Sequence, residues 1–140
     1  MAADPANPTA TLRGLMPFAA TLGIVVLRYD AEEVRVRLEW APELCTAGGA
    51  LHGGVVMAAA DSAGGACAFL NLPAGAAGTT TVESKTNFLR AVREGWIEAA
   101  ARPLHAGRTL IVVQTDIVDA RERLAARVTQ SQLVLPGTGT

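Results

Sequence analysis

The sequence predicts an α+β domain in which a curved antiparallel sheet of about six strands surrounds one long helix. Residues 55–70 form an almost unbroken apolar run rich in Ala, with Met and Leu, which favours helix and is too long for a buried strand. Most of the remaining chain alternates apolar and polar residues or is β-branched, and the gaps between such segments are of hairpin size.

Residues 1–11, rich in Ala and Pro, read as a loose lead, 12–135 as a single domain, and 136–140 as a loose tail. Within the domain, residues 12–22 place Leu15, Phe18, Ala19 and Leu22 at helical spacing, with Gly23 as a stop. Residues 24–27 and then Val34, Val36, Leu38 and Trp40, alternating with Arg35, Arg37 and Glu39, predict a hairpin. Residues 42–51 carry Pro, Thr and paired glycines and are assigned to a loop. After the apolar run, residues 79–89, 96–104, 109–119 and 124–134 predict four strands. The short joins at 93–95, 106–107 and 120–123 lead us to expect antiparallel pairing in sequence order. A helix apolar on every side is expected to be wrapped by protein.

The 140 residues are half hydrophobic, enough for a core, and carry a net charge of −1. A balance this neutral gives no concentrated basic surface, so neither nucleic acid nor an anionic membrane is expected as a partner. Cys45 and Cys67 form no spaced framework and no segment reads as a secretion signal, which points to a cytoplasmic protein with reduced thiols. The uninterrupted apolar stretch at 55–60 is too short to cross a bilayer.

Asp61 interrupts the apolar helix with a carboxylate. A charge in such surroundings is costly unless donors satisfy it or the group works, and from this residue alone structure and function weigh about evenly. His52-Gly53-Gly54 stand at the predicted helix start, where small residues leave backbone N–H groups open and the dipole adds positive charge, as a developing oxyanion needs. Paired glycines before a helix are more often turn chemistry. Gly54 and Asp61 are seven residues apart, roughly 10 Å along a helix axis, so one reacting carbon cannot meet both within one subunit. If they act together, the facing groups come from two chains.

His52-Gly53-Gly54 followed by Ala60-Asp61-Ser62-Ala63 resembles the signature of hotdog-fold thioesterases of the phenylacetate-degradation (PaaI-like) type. Thr81-Val82-Glu83 leading to Asn87-Phe88-Leu89-Arg90, then Gly107-Arg108-Thr109-Leu110, resembles the later strands of that family, so the likeness runs from about residue 15 to 134. It implies a helix wrapped by an antiparallel sheet, homodimers joined edge to edge with active sites at the interface, and dimers paired into a homotetramer. By matching position, Asp61 is the general base or nucleophile, Gly54 of the other subunit holds the thioester oxygen, and Thr81 positions water. In the same way His52, Thr46, Gly53 and Ser62 line the substrate site, and Arg90 and Arg108 face the nucleotide end of coenzyme A. Thr46 departs from the Asn that many relatives carry six residues before the His, while Gly49 keeps the glycine of that loop.

The resemblance implies hydrolysis of a medium-sized or aromatic acyl-coenzyme A, with coenzyme A as part of the substrate and no separate cofactor. Met57, Phe69 and Phe88 are the expected pocket residues. His52 and His105 lie too far apart, without other ligands at suitable spacing, to suggest a metal site. Cys45 reads as a bystander and Cys67 as core. Two other readings remain: a hotdog hydratase or dehydratase, disfavoured because the His precedes the helix and the acid is Asp, and a non-catalytic acyl-coenzyme A binder.

Overall fold

The computed structural model describes residues 4–139. Met1 to Ala3 of the expected lead, and Thr140 of the tail, lie outside the described residues. The order along the chain is α1 (Pro8–Leu15), α2 (Pro17–Thr21), β1 (Val25–Tyr29), β2 (Val34–Glu39), α3 (Gly53–Leu70), β3 (Ala76–Phe88), β4 (Trp96–Ala106), β5 (Leu110–Asp119) and β6 (Leu124–Pro136). Two single 3-10 turns lie in the loop between β2 and α3.

The helix expected over 12–22 is two helices, and the first begins at Pro8, inside the expected lead. Asn7 caps it by accepting from the Ala10 N–H at 3.0 Å, and Pro8 at the first helical position has no N–H to lose. Met16 takes a non-helical conformation because Pro17 follows, and the chain restarts as α2. At the other end, Pro136 belongs to β6 and pairs with Ala76.

One six-stranded sheet runs β1-β2-β4-β5-β6-β3, with every neighbouring pair antiparallel. The α+β class, the strand number and the central helix are therefore as the sequence predicts. Pairing in sequence order is corrected: β3 does not turn back onto β4 but lies beyond β6 at the sheet edge. The segment 89–95 is a crossover and not a hairpin. The amides of Leu89 and Arg90 both bond to the carbonyl of Ala125, Val92 accepts from Leu51, and Gly95 accepts from Trp40. The interior place beside β4 goes to β2, whose Val34, Val36 and Leu38 are fully buried. Residues 79–87 of β3 contain Thr, Glu, Ser, Lys and Asn and have no inward apolar row, so β3 suits an edge.

Helix α3 lies across the concave face of the sheet, with Val56, Ala59, Ala60, Ala63, Ala66 and Cys67 in the core. Alanines and glycines let helix and sheet approach closely, and half of this helix is buried although its length and composition alone would let it cross a membrane. The expectation of complete wrapping is corrected for the single protomer. Gly54, Met57, Asp61 and Phe69, at spacings of three, four and eight, leave one face of α3 open. The neighbouring edge strand β3, thirteen residues long, contains no buried residue.

Candidate active site

His52 is the N-cap of α3, in extended conformation, and its Nδ1 accepts the Gly54 N–H at 2.8 Å. The amide expected to hold an oxyanion is thus exposed at the helix start and engaged by the imidazole of the capping residue. Gly53 lies tight against the Phe88 ring: a β-carbon there would lie 3.1 Å from Phe88 Cζ, and the ring would have to shift to admit it. The preceding loop is tied down by the Trp40 Nε1–H donating to the Gly49 carbonyl at 3.1 Å and by the Cys45 thiol donating to Ala41 and Gly49 carbonyls. Thr46 is exposed there; its backbone N–H donates to the Ala50 carbonyl.

Asp61 is exposed in the protomer, which corrects the expectation of a carboxylate buried on all sides. Its Oδ1 accepts a hydrogen bond from Gln130 Nε2 at 3.1 Å. One inward position along β6, Gln132 Nε2 donates to Thr81 Oγ1 at 2.6 Å. Since Gln130 and Gln132 are two residues apart on one strand face, the structure brings Asp61 and Thr81 to anchors roughly 7 Å apart. Both glutamines are almost completely buried. Neither stands out in the sequence, because a polar residue in a strand reads as solvent-facing. The signal was there in Ala126, Val128, Gln130, Gln132, Val134, a row in which two amides stand where core residues belong.

The structure does not gather every expected residue. Ser62 lies on the buried side of α3, and its hydroxyl donates to the Ala58 carbonyl one turn back at 2.8 Å, so it does not share the Asp61 face. Arg90 and Arg108 stand at opposite ends of the sheet within one protomer: Arg90 binds the start of β6 through Ala125, whereas Arg108 sits in the turn whose neighbour Thr109 bonds Val134 near the end of β6. Gly54 and Asp61 remain separated along the same helix, as expected.

Two cavities flank this face. One, of about 410 Å³, lies beside Gly65, one helical turn after Asp61, and is walled by Leu15, Met16, Tyr29, Phe69 and Leu135. The other, also about 410 Å³, lies at the helix start between Gly53, Val56, Phe88, Leu89 and Arg90. The expected pocket residues are thereby divided: Phe69 lines the first, Phe88 the second, and Met57 is exposed on the open face.

Cys67 is fully buried in the core, and desolvation, aided by the negative charges of Asp30 and Glu33, pushes its thiol up to about 11. Cys45 is half-buried. In a thiol titration at pH 8 we therefore expect no more than one reactive thiol in the native protein, with Cys67 reacting only after denaturation. Rapid reaction of both thiols in the folded state would contradict this placement.

The fold agrees with comparisons to known proteins. A model of the thioesterase superfamily matches residues 48–126. Rv1847 of Mycobacterium tuberculosis and ComA2 of Bacillus subtilis, whose names propose an esterase, are 31% and 34% identical, covering 91% and 74% of this chain and 91% and 82% of theirs. The crystal structure of thioesterase HI1161 from Haemophilus influenzae superposes with a TM-score of 0.85 at 26% identity, over 94% of this chain and 92% of that one. The PaaI protein of the phenylacetic acid degradation operon of Escherichia coli shares the fold, with a TM-score of 0.82 at 22% identity over 94% of both chains. The chain belongs to the thioesterase superfamily and has its hotdog fold.

Proposed function

We propose that the protein is an acyl-coenzyme A thioesterase that hydrolyses a medium-sized or aromatic acyl thioester, with each active site shared between two subunits. The observation that carries this reading is the placement of Asp61: one carboxylate on the open face of an otherwise apolar helix, one turn from an apolar cavity of about 410 Å³. In this reading Asp61 takes a proton from a water that attacks the thioester carbon and passes it to the departing sulfur, or attacks that carbon itself to give a mixed anhydride that water then hydrolyses; in both cases the C–S bond breaks and the sulfur leaves as the coenzyme A thiol. The Gly54 amide of the partner subunit, relieved of His52, takes the thioester oxygen at the positive end of the helix. Thr81, held by Gln132, orients the water. Arg90 of one subunit and Arg108 of the other meet the coenzyme A phosphates, and Thr46 lies on the loop before the site. The dimers pair into tetramers. Coenzyme A arrives as part of the substrate and no further cofactor is needed.

Support for a shared site comes from the edge strand β3, which exposes its backbone and Val82 along thirteen residues, and from the open face of α3 beside it. A long edge of this kind is a template for a second strand. A two-fold pairing of β3 with its copy would extend the sheet and cover α3.

The test is free-thiol release from a panel of short, long and aromatic acyl-coenzyme A esters. Turnover of medium or aromatic esters is expected, and binding without thiol release would leave only an acyl-coenzyme A binder. The Gly65 cavity can be read in the same assay. Gly65→Phe fills it from the helix side and is expected to lower kcat/KM for medium and aromatic esters by at least about tenfold while sparing acetyl-coenzyme A. Equal losses on all esters would move the acyl group elsewhere.

A further inference from the structure

We infer that Gln130 is a positioning residue that fixes the orientation of the Asp61 carboxylate, and that Gly64 is glycine to make room for it. This rests on the reading of Asp61 as the reacting group. Gln130 lies mid-strand on the inward row of β6, next to Val128, and is fully buried. Its Nε2 donates to Asp61 Oδ1 at 3.1 Å, and its Oε1 has no hydrogen-bond partner. A valine or leucine would fill such a position with no polar atom to satisfy, so a buried amide with one end orphaned calls for a reason other than stability.

The reason follows from the two ends of the amide. An ionised carboxylate offers acceptors only, so the amide facing it must present its NH2 group. That choice drives the carbonyl end the other way, against α3 at Gly64, where the helix backbone N–H groups are engaged in their own ladder. A β-carbon on residue 64 would fall onto the Gln130 amide oxygen and crowd its carbon. Glycine inside a helix is unfavourable, yet here no other residue leaves the amide in place. The orphaned carbonyl and the mid-helix glycine are thus two consequences of aiming one N–H at Asp61.

Asp61 is exposed on the protomer and would otherwise sample several rotamers. With Oδ1 held, one orientation is selected, and Oδ2 is left for the water or the thioester carbon. Gln130 itself lies beneath the carboxylate and does not touch the substrate, so its effect belongs in turnover and not in binding.

The experiment compares Gln130→Met, which keeps the length and removes the donor, with the wild type in the thiol-release assay. We expect kcat to fall by about 10- to 100-fold with KM within about twofold and the melting temperature unchanged or higher. Gln130→Leu, which lacks the donor and suits the buried position, reads the same loss should the methionine variant not fold. Gly64→Ala should lower kcat in the wild type but add nothing in a Gln130→Ala background, because the displaced amide is already gone. A folded Gln130→Met or Gln130→Leu with kcat within about twofold of wild type, or a loss confined to KM, would overturn the inference. So would a Gly64→Ala loss that is equally large without Gln130. Asp61→Asn measured alongside separates the two levels. Its loss together with a fully active Gln130→Met rejects only the role of Gln130, whereas its full activity rejects Asp61 and, with it, any positioner.

Discussion

Asp61→Asn is expected to lose about 10³-fold in kcat while keeping the fold and the assembly state of the wild type, the size usual for removing a general base. The substitution isolates charge from shape. The Asn side chain keeps an oxygen that can accept from Gln130 Nε2, so the hydrogen bond at 3.1 Å and the packing around it survive. Because Asp61 is exposed in the protomer, its replacement leaves no buried charge unpaired and should cost little stability. What disappears is the basicity of the carboxylate, or its nucleophilicity if it attacks directly. The comparison is made as kcat/KM for the best ester, with circular dichroism and sizing as controls. Retention of a tenth or more of the activity would remove Asp61 from the chemistry.

Val82→Lys is expected to break the assembly and, with it, activity. Val82 stands at the middle of β3, 58% exposed, at a register irregularity between Thr81 and Glu83. If β3 pairs with its own copy about a two-fold axis, the middle of the strand meets itself, and a lysine there brings two like charges together on an edge. Within the protomer the change is cheap, since the side chain already faces solvent. Light scattering should show the wild type at twice 14.5 kDa or more and the variant moving toward a single 14.5 kDa chain. Thiol release should fall by at least about 10²-fold although Asp61, Gly54 and Thr81 are untouched. A monomeric variant with full activity would mean that one chain holds a complete site.

The helix and three of the five strand pairings, β1 with β2, β4 with β5 and β5 with β6, were legible because they depend on local pattern: the apolar run before and after Asp61, the period-two rows of β2 and β5, and the short turns on either side of β5. The place of β3 was not. Its connection to β4 has the length of a hairpin loop, but the amides of Leu89 and Arg90 are satisfied by Ala125, far along the chain, and no local rule announces such a bond. The polar content of β3 was the available sign that it could not lie inside a sheet. The break at Met16 was likewise visible, since Pro17 forbids helix at the residue before it, yet the apolar spacing of Leu15, Phe18 and Leu22 outweighed it in the reading. At the site, Asp61, Gly54 and Thr81 stood out through chemistry and resemblance. Gln130 stayed hidden because its meaning lies in two long-range contacts, to Asp61 on one side and to Gly64 on the other.

The most direct test of a site shared between subunits is complementation in mixed dimers. Asp61→Asn supplies a chain with an intact Gly54 amide, and Gly54→Pro supplies a chain with an intact Asp61 but no N–H at the second helical residue, where the amide has no partner within the helix and an added β-carbon meets the His52 ring that this amide holds. Each is expected to be inactive alone. Unfolded together and refolded at equal amounts, they form mixed dimers in which one of the two sites has both working groups, and activity should return to about a quarter of the wild-type value. Mixed dimers that form and remain as inactive as their parents would show that Asp61 and Gly54 do not meet across the interface.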